Sequence, residues 1–357
     1  MTFRYLGEFK SFKELSFTKL NPLKNKIFKV LTGSFRNSKR INLIKTFPKD
    51  SEIKVLITRP NHRLGNQLLI TPLVQEVKEQ FPNCKIHLIV NGNLSFILLS
   101  KYHYVETIYN LPKKPFNNIL DYLKKSISLI SNKYDIAIVG CEDSNSSKIF
   151  VKLSRAKFKI YNSGTTNFNK PEHIAKIPVY NLRRFLNLSE DFNHNYPKLS
   201  IKLCSQEIEK GNQLIKTLFN GNKKTICIFT FATGAKCHRE KWWLEFYKEL
   251  KTEFTDFNIL EILPFENVSQ INFKSTHFYS KNLREIASII ENSVVFIGAD
   301  SGIMHLSAST NTTTIGLFNV TRPKTYEPYG DKNKSINTNS NKITQIIKKI
   351  KEAIFYN

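Results

Sequence analysis

Val294-Val295-Phe296-Ile297-Gly298-Ala299-Asp300-Ser301-Gly302-Ile303-Met304-His305-Leu306-Ser307-Ala308 is the stretch that decides how this chain is read. Its opening apolar, largely β-branched or aromatic run predicts a buried strand. A loop of small and polar residues follows, then a short helix that Asp300 or Ser301 would cap. Thr313-Thr314-Ile315-Gly316-Leu317-Phe318 predicts the next strand. The unit is strand, loop, helix, strand, and its loop falls at the carboxyl end of a parallel strand, where α/β sheets bind ligands. Gly298 and Gly302 would let the backbone approach a ligand, and a helix start there would favour an anionic group. That end contributes only ~0.3–1 kcal/mol to an exposed anion, so it orients rather than binds. The same spacing is equally compatible with a capping Asp300 and a hydrogen-bonded core histidine at 305.

The rest of the chain has the same grammar. Residues 53–58 predict the first strand, followed by the loop Pro60-Asn61-His62-Arg63-Leu64-Gly65-Asn66. Ile70, Leu73, Val74 and Val77 then mark one face of a helix, and residues 85–90 the next strand. This opening β–α–β unit lacks the three-glycine dinucleotide fingerprint, which argues against an NAD-dependent enzyme. Residues 119–130 predict a helix, 134–140 a strand, 180–188 a late helix and 193–201 a linker. The second half repeats the pattern, with a helix over 204–219 and strands over 225–231 and 257–263. A helix over 282–291 leads back to the opening stretch. The loop Ala232-Thr233-Gly234-Ala235-Lys236-Cys237-His238-Arg239-Glu240-Lys241-Trp242-Trp243 supplies basic groups and a hydroxyl at a strand end, which suits a diphosphate. Ile343, Ile346, Ile347, Ile350 and Ile354 predict a closing amphipathic helix, with Lys348, Lys349 and Lys351 on its solvated face.

Four segments resemble glycosyltransferase family 9, the lipopolysaccharide heptosyltransferases and their relatives. Asp300-Ser301-Gly302 with His305 is similar to the family's donor-site motif. Leu64-Gly65-Asn66, Thr71-Pro72 and Phe81-Pro82 are similar to its Leu-Gly-Asp segment, Thr-Pro and Phe-Pro. Lys241-Trp242 is similar to its Lys-Trp at a helix start. Thr321-Arg322-Pro323 with Tyr326 and Pro328 is similar to a later loop. The resemblance covers about residues 53–330. It implies the glycosyltransferase B architecture, an α/β fold of two Rossmann-like domains facing each other across a cleft. On that pattern residues 1–50 form a basic extension, 51–196 the acceptor domain, 197–335 the nucleotide-sugar domain and 336–357 a helix packed across the domain junction.

The chemistry implied is metal-independent, inverting transfer of a heptose-like sugar from a nucleotide diphospho-sugar, an ADP-linked donor being one candidate and the nucleotide base left open, to a hydroxyl of a lipopolysaccharide or other cell-envelope glycan acceptor. Thr233, Lys241, Glu266, Asp300, Ser301, Gly302 and His305 would bind the donor, and Arg63 and Gly65 the acceptor. No metal or other cofactor is expected. One departure matters. The family's proposed general base is an Asp, and Asn66 stands in its place. General-base catalysis typically contributes ~10²–10⁴ in rate. Three readings stay open: His62 supplies the base, Asn66 orients the acceptor, or the protein is a non-catalytic nucleotide-sugar binder.

The bulk properties agree with an anionic substrate. The 357 residues carry a formal charge of +25, spread along the chain without a recognised nucleic-acid motif. Phe3, Leu6, Phe9, Phe12 and Leu15, interleaved with lysines, suit either contact with an anionic membrane surface or an arm packed on the protein's own surface. No apolar run reaches the ~18 residues that would span a bilayer. Cys84, Cys141, Cys204, Cys227 and Cys237 have neither metal-site nor redox spacing. The expected location is the cytoplasm, including the inner face of its membrane.

Overall fold

The computed structural model describes residues 35–48, 51–111, 131–162, 170–188 and 195–355. The helix expected over 119–130 and most of the basic extension lie outside the described residues.

Two parallel sheets fall on either side of residues 195–204. The first has the order β3-β2-β1-β4-β5, from β1 (Ile53–Thr58), β2 (Cys84–Asn91), β3 (Val105–Leu111), β4 (Lys133–Val139) and β5 (Arg155–Ile160). The second has the order β11-β10-β9-β6-β7-β8. Its strands are β6 (Thr225–Phe229), β7 (Asn258–Ile262), β8 (Thr276–Phe278), β9 (Val295–Ala299), β10 (Thr313–Phe318) and β11 (Lys334–Asn337). β6 and β9 are buried on both faces, which is why they read as continuous apolar runs rather than alternating ones. In each sheet the strand order reverses once, between β1 and β4 and between β6 and β9. Loops leaving a parallel sheet diverge at such a point and open a crevice.

The helices used below are α1 (Leu64–Leu68), α2 (Thr71–Gln80), α3 (Lys176–Phe185), α4 (Ser205–Phe219), α5 (Glu240–Glu253), α6 (Leu283–Glu291), α7 (Gly302–Ser307) and α8 (Ile343–Phe355). Asn282 caps α6 by accepting from the backbone of Arg284 and Glu285. One buried apolar cluster runs through both halves, from Val55, Ile57 and Leu73 to Phe229, Leu260 and Met304. The closing helix departs from expectation. α8 buries Ile343, Ile346, Ile347 and Ile350 with Trp243, Phe246 and Leu250 of α5, so it belongs to the second half instead of bridging the two.

Residues 195–204 are pinned from both sides. Thr71 Oγ accepts from the Ser200 backbone, and Tyr102 donates to the Ser200 carbonyl at 2.8 Å. Arg284 donates to the carbonyls of Ile201 (2.9 Å) and Lys202 (2.8 Å) while pairing with Glu207. Further along the junction, His173 Nε2 donates to the Glu327 carbonyl at 3.0 Å and the Ile174 N–H to the Thr325 carbonyl at 3.2 Å.

The two halves also pack tightly at α1 against α7. A Cβ on Gly302 would lie 2.8 Å from the Leu64 Cβ and 3.3 Å from the Gly65 nitrogen. A Cβ on Gly65 would lie 2.6 Å from Cδ2 of His305. Each glycine is therefore required by the other half of the molecule. Gly298 differs: its missing Cβ makes room for the Phe296 ring at 2.8 Å within the sheet, a packing role and not an approach to ligand. Gly302→Ala should wedge the halves apart and cost about 1–3 kcal/mol in urea unfolding, the usual range for overpacking. An unchanged midpoint would mean that the junction yields freely.

Candidate active site

The crevices of the two sheets face each other at the α1–α7 contact, and the polar loops converge there. From the second sheet, β9 ends at Ala299 and delivers Asp300, only 4 % exposed. Ser301 is the helix cap, its side chain accepting from the Met304 backbone, so the carboxylate of Asp300 is left for other work. Lys236 Nζ lies 2.7 Å from that carboxylate, and the Thr321 hydroxyl donates to the same oxygen. Lys236 comes from the 3₁₀ turn Gly234–Lys236 after β6, and Thr321 from the loop after β10. Three strand ends thus meet on one carboxylate. Burial of an unpaired charge is costly, and the pairing offsets that cost.

His305 is buried behind Asp300, and its Nδ1 has no hydrogen-bond partner. Burial lowers its pKa to about 3, opposed by the nearby Asp300 carboxylate, so the ring is neutral at physiological pH. It is therefore a buried histidine at the junction with an unsatisfied nitrogen, and not the hydrogen-bonded core residue that spacing alone also permitted.

From the first sheet, Asn66 lies half-buried on α1, and its Oδ1 accepts from Arg59 Nη2 at 2.9 Å. Arg59 follows β1 and is 3 % exposed. His62 and Arg63 are exposed on the loop before α1. Tyr326, beside this junction, is influenced by the charges of both Arg59 and Asp300.

The sequence-derived donor residues divide in two. Asp300, Ser301, Gly302 and His305 converge with Asn66 and Gly65. Thr233, Lys241 and Glu266 are exposed, Lys241 on the first turn of α5 and Glu266 in the loop after β7. The side chains that touch the convergent group and that spacing did not single out are Lys236, Thr321 and Arg59. Lys236 stands in the same strand-end loop as Lys241, two residues past Gly234, whose positive φ of 65° turns the chain there. Sequence order alone could not decide between the two lysines, because the choice depends on how that turn is made.

The sequence profile of glycosyltransferase family 9 (heptosyltransferase) matches residues 123–353. The lipopolysaccharide heptosyltransferase 3 of Escherichia coli is 23% identical over 299 residues, covering 75% of this chain and 84% of that protein. Among solved structures, a family 9 glycosyl transferase from Veillonella parvula superposes with a TM-score of 0.65 at 17% identity, covering 84% of this chain and 89% of its own. The E. coli heptosyltransferase WaaC with ADP gives 0.61 at 15% identity, covering 84% of this chain and 98% of its own. The structural likeness shows the fold, two Rossmann-like domains of the glycosyltransferase B type. Among the described residues, no helix is long and apolar enough to cross a membrane.

The neutral histidines predict a pH dependence. His173 is buried at the junction, and burial lowers its pKa to about 4. Its folded pKa lies below the unfolded value of ~6.5, so the unfolded chain takes up the proton first. Its contribution is complete above ~6.5 and is lost as pH falls towards 4. His173→Gln, which retains a side-chain donor, should therefore lose about 2 kcal/mol less stability than the parent between pH 7 and pH 4.5 in urea titrations. Equal losses in the two proteins would contradict a neutral, buried His173.

Proposed function

The chain belongs to glycosyltransferase family 9, and from that premise we propose that it transfers a heptose-like sugar from a nucleotide diphospho-sugar to a hydroxyl of a lipopolysaccharide or related cell-envelope glycan. The observation that carries this reading is the meeting of the two motifs. Helix α1, carrying Leu64, Gly65 and Asn66, touches helix α7, carrying Gly302 and His305 just after Asp300, across the reversal points of both sheets. A donor held on one sheet and an acceptor held on the other would then present their reacting atoms at a shared boundary. Bringing reactants together in fixed geometry is a large part of what such an enzyme must supply.

In this reading Asp300 faces the donor sugar. Lys236, paired with Asp300, would be a cation for the diphosphate, whose charge grows as the sugar leaves. Thr233 and the exposed Lys241 flank the same strand-end loop and would add contacts to the phosphates, and Glu266 would reach the ribose. Arg63 and Gly65 would line the acceptor side, with His62 a candidate for the base. Inversion, ADP as the nucleotide and metal independence are parts of the same proposal. So is a place at the inner face of the cytoplasmic membrane, where the positive charge of the chain suits an anionic lipid-linked acceptor. The second reading is a nucleotide-sugar binder without transfer, and Asn66 in place of a basic carboxylate is the observation that favours it. Turnover separates the two.

A thermal-shift panel with ADP, UDP, GDP and CMP, run with and without magnesium, tests the donor side. At ~100 times its dissociation constant a ligand stabilises by ~2.7 kcal/mol, several degrees for domains of this size. The expected result is a selective, magnesium-independent shift with ADP that Lys236→Met or Asp300→Asn removes and Lys241→Ala weakens. A shift with none of the four would remove the donor-site assignment. A shift abolished by Lys241→Ala but not by Lys236→Met would transfer the diphosphate role to Lys241.

A further inference from the structure

Arg59 stands at the carboxyl end of β1, and its Nη1 donates to the Gly140 carbonyl at the end of β4 at 2.6 Å. It thereby closes the reversal point of the first sheet from below. Nη2 donates to Asn66 Oδ1, the Cys141 side chain also interacts with the guanidinium, and Nε itself makes no hydrogen bond. Among the described residues no carboxylate forms an ion pair with this buried guanidinium.

A guanidinium offers donors and no acceptor. The Asn66 amide consequently has one allowed orientation, with its carbonyl on Arg59 and its Nδ2 turned away. That Nδ2 makes no hydrogen bond to protein among the described residues. The neighbouring Gly65 touches His305, and both Arg59 and Asp300 act electrostatically on His305 and on Tyr326. The free amide N–H therefore sits where the two halves of the site meet.

We propose that Asn66 is a fixed hydrogen-bond donor to the attacking oxygen of the acceptor, and that Arg59 is the positioning residue that fixes it. This rests on the transferase reading above. Asn66 takes no proton in this role, because an amide has no useful basicity. The acceptor hydroxyl oxygen takes this hydrogen bond on one lone pair and attacks the sugar carbon with the other; its proton passes to a base other than Asn66, for which His62 is the candidate named above, and the bond to the diphosphate breaks as the new one forms. The cation behind the amide polarises its N–H further in a low-dielectric setting.

An aspartate at 66 would behave differently. Nη2 and the unpartnered Nε–H form a fork that matches a carboxylate with two parallel hydrogen bonds. Both carboxylate oxygens would turn towards Arg59, and the donor would be lost.

The test is a stability cycle together with kinetics. Asn66→Asp should raise the urea midpoint at pH 7. The gain should persist above the usual carboxylate range and vanish as pH falls through the depressed pKa of the paired aspartate. In an Arg59→Met background the gain should disappear. If that variant does not fold, Arg59→Lys should reduce the gain, because a lysine keeps the charge without the fork. No gain, or an equal gain without Arg59, overturns the proposal. This arm needs no substrate. In the kinetic arm Asn66→Asp should lower kcat/KM for the acceptor at least tenfold and leave the ADP shift intact. Arg59→Lys should lower kcat with donor KM unchanged. A rise in kcat for Asn66→Asp towards the 10²–10⁴ typical of a general base would overturn the proposal. A parent protein that transfers from no nucleotide-sugar defeats the transferase reading and the acceptor role with it, while the stability cycle still decides whether Arg59 holds residue 66.

Discussion

The architecture depends on the close approach of two short helices, α1 and α7, each placed by a strand end of a different sheet. The contact tolerates no side chain at Gly65 or Gly302, since a Cβ at either position would fall well inside contact distance of the other half. Glycine is costly within a helix, by roughly 1 kcal/mol relative to alanine. Two helices that accept this cost at the same contact gain little for their own stability. What they gain is proximity: the loop after β1 and the loop after β9 become parts of one site. The apolar cluster that runs through both halves, together with the bonds holding residues 195–204, keeps that contact in register.

Around this contact the charged groups are arranged so that each buried one has a stated partner or is neutral. Asp300 is matched by Lys236 and Thr321. His173 and His305 stay uncharged because burial penalises the protonated ring. Arg59 is the exception, since its partners are a carbonyl, an amide and the Cys141 side chain, and not a carboxylate. A buried cation with neutral partners is a source of positive potential at the junction. A positive potential there suits the departure of a diphosphate, on which negative charge grows.

Much of the fold was legible in the sequence, and for a physical reason. Strands that are mostly buried are rich in apolar and β-branched residues, so β1 and β10 could be located to the residue and β4, β6 and β9 within one or two. The pairing of the two motifs was not legible, because contact between Gly65 and His305 depends on how two separate sheets face each other. The same holds for Lys236 against Lys241: both follow one strand, and only the turn at Gly234 decides which reaches Asp300. Asn66 was recognisable as a departure from the family pattern, but its orientation was not, because that is set by Arg59 from the end of the preceding strand. The amphipathic pattern of α8 was clear while its partner was not, since an apolar stripe does not say which surface it will cover.

The central claim is that the two facing sites form a sugar-transfer centre. The most direct test is to incubate the intact protein with ADP-heptose and a heptose-deficient lipopolysaccharide core acceptor, then follow ADP release and the mass of the acceptor together. The account predicts that the two rise in step, with the acceptor gaining one heptose for each ADP released, and that Asp300→Asn abolishes both. ADP-heptose bound tightly with neither ADP release nor a heavier acceptor, across acceptors of different length, would contradict it and leave a binding protein built on a transferase fold.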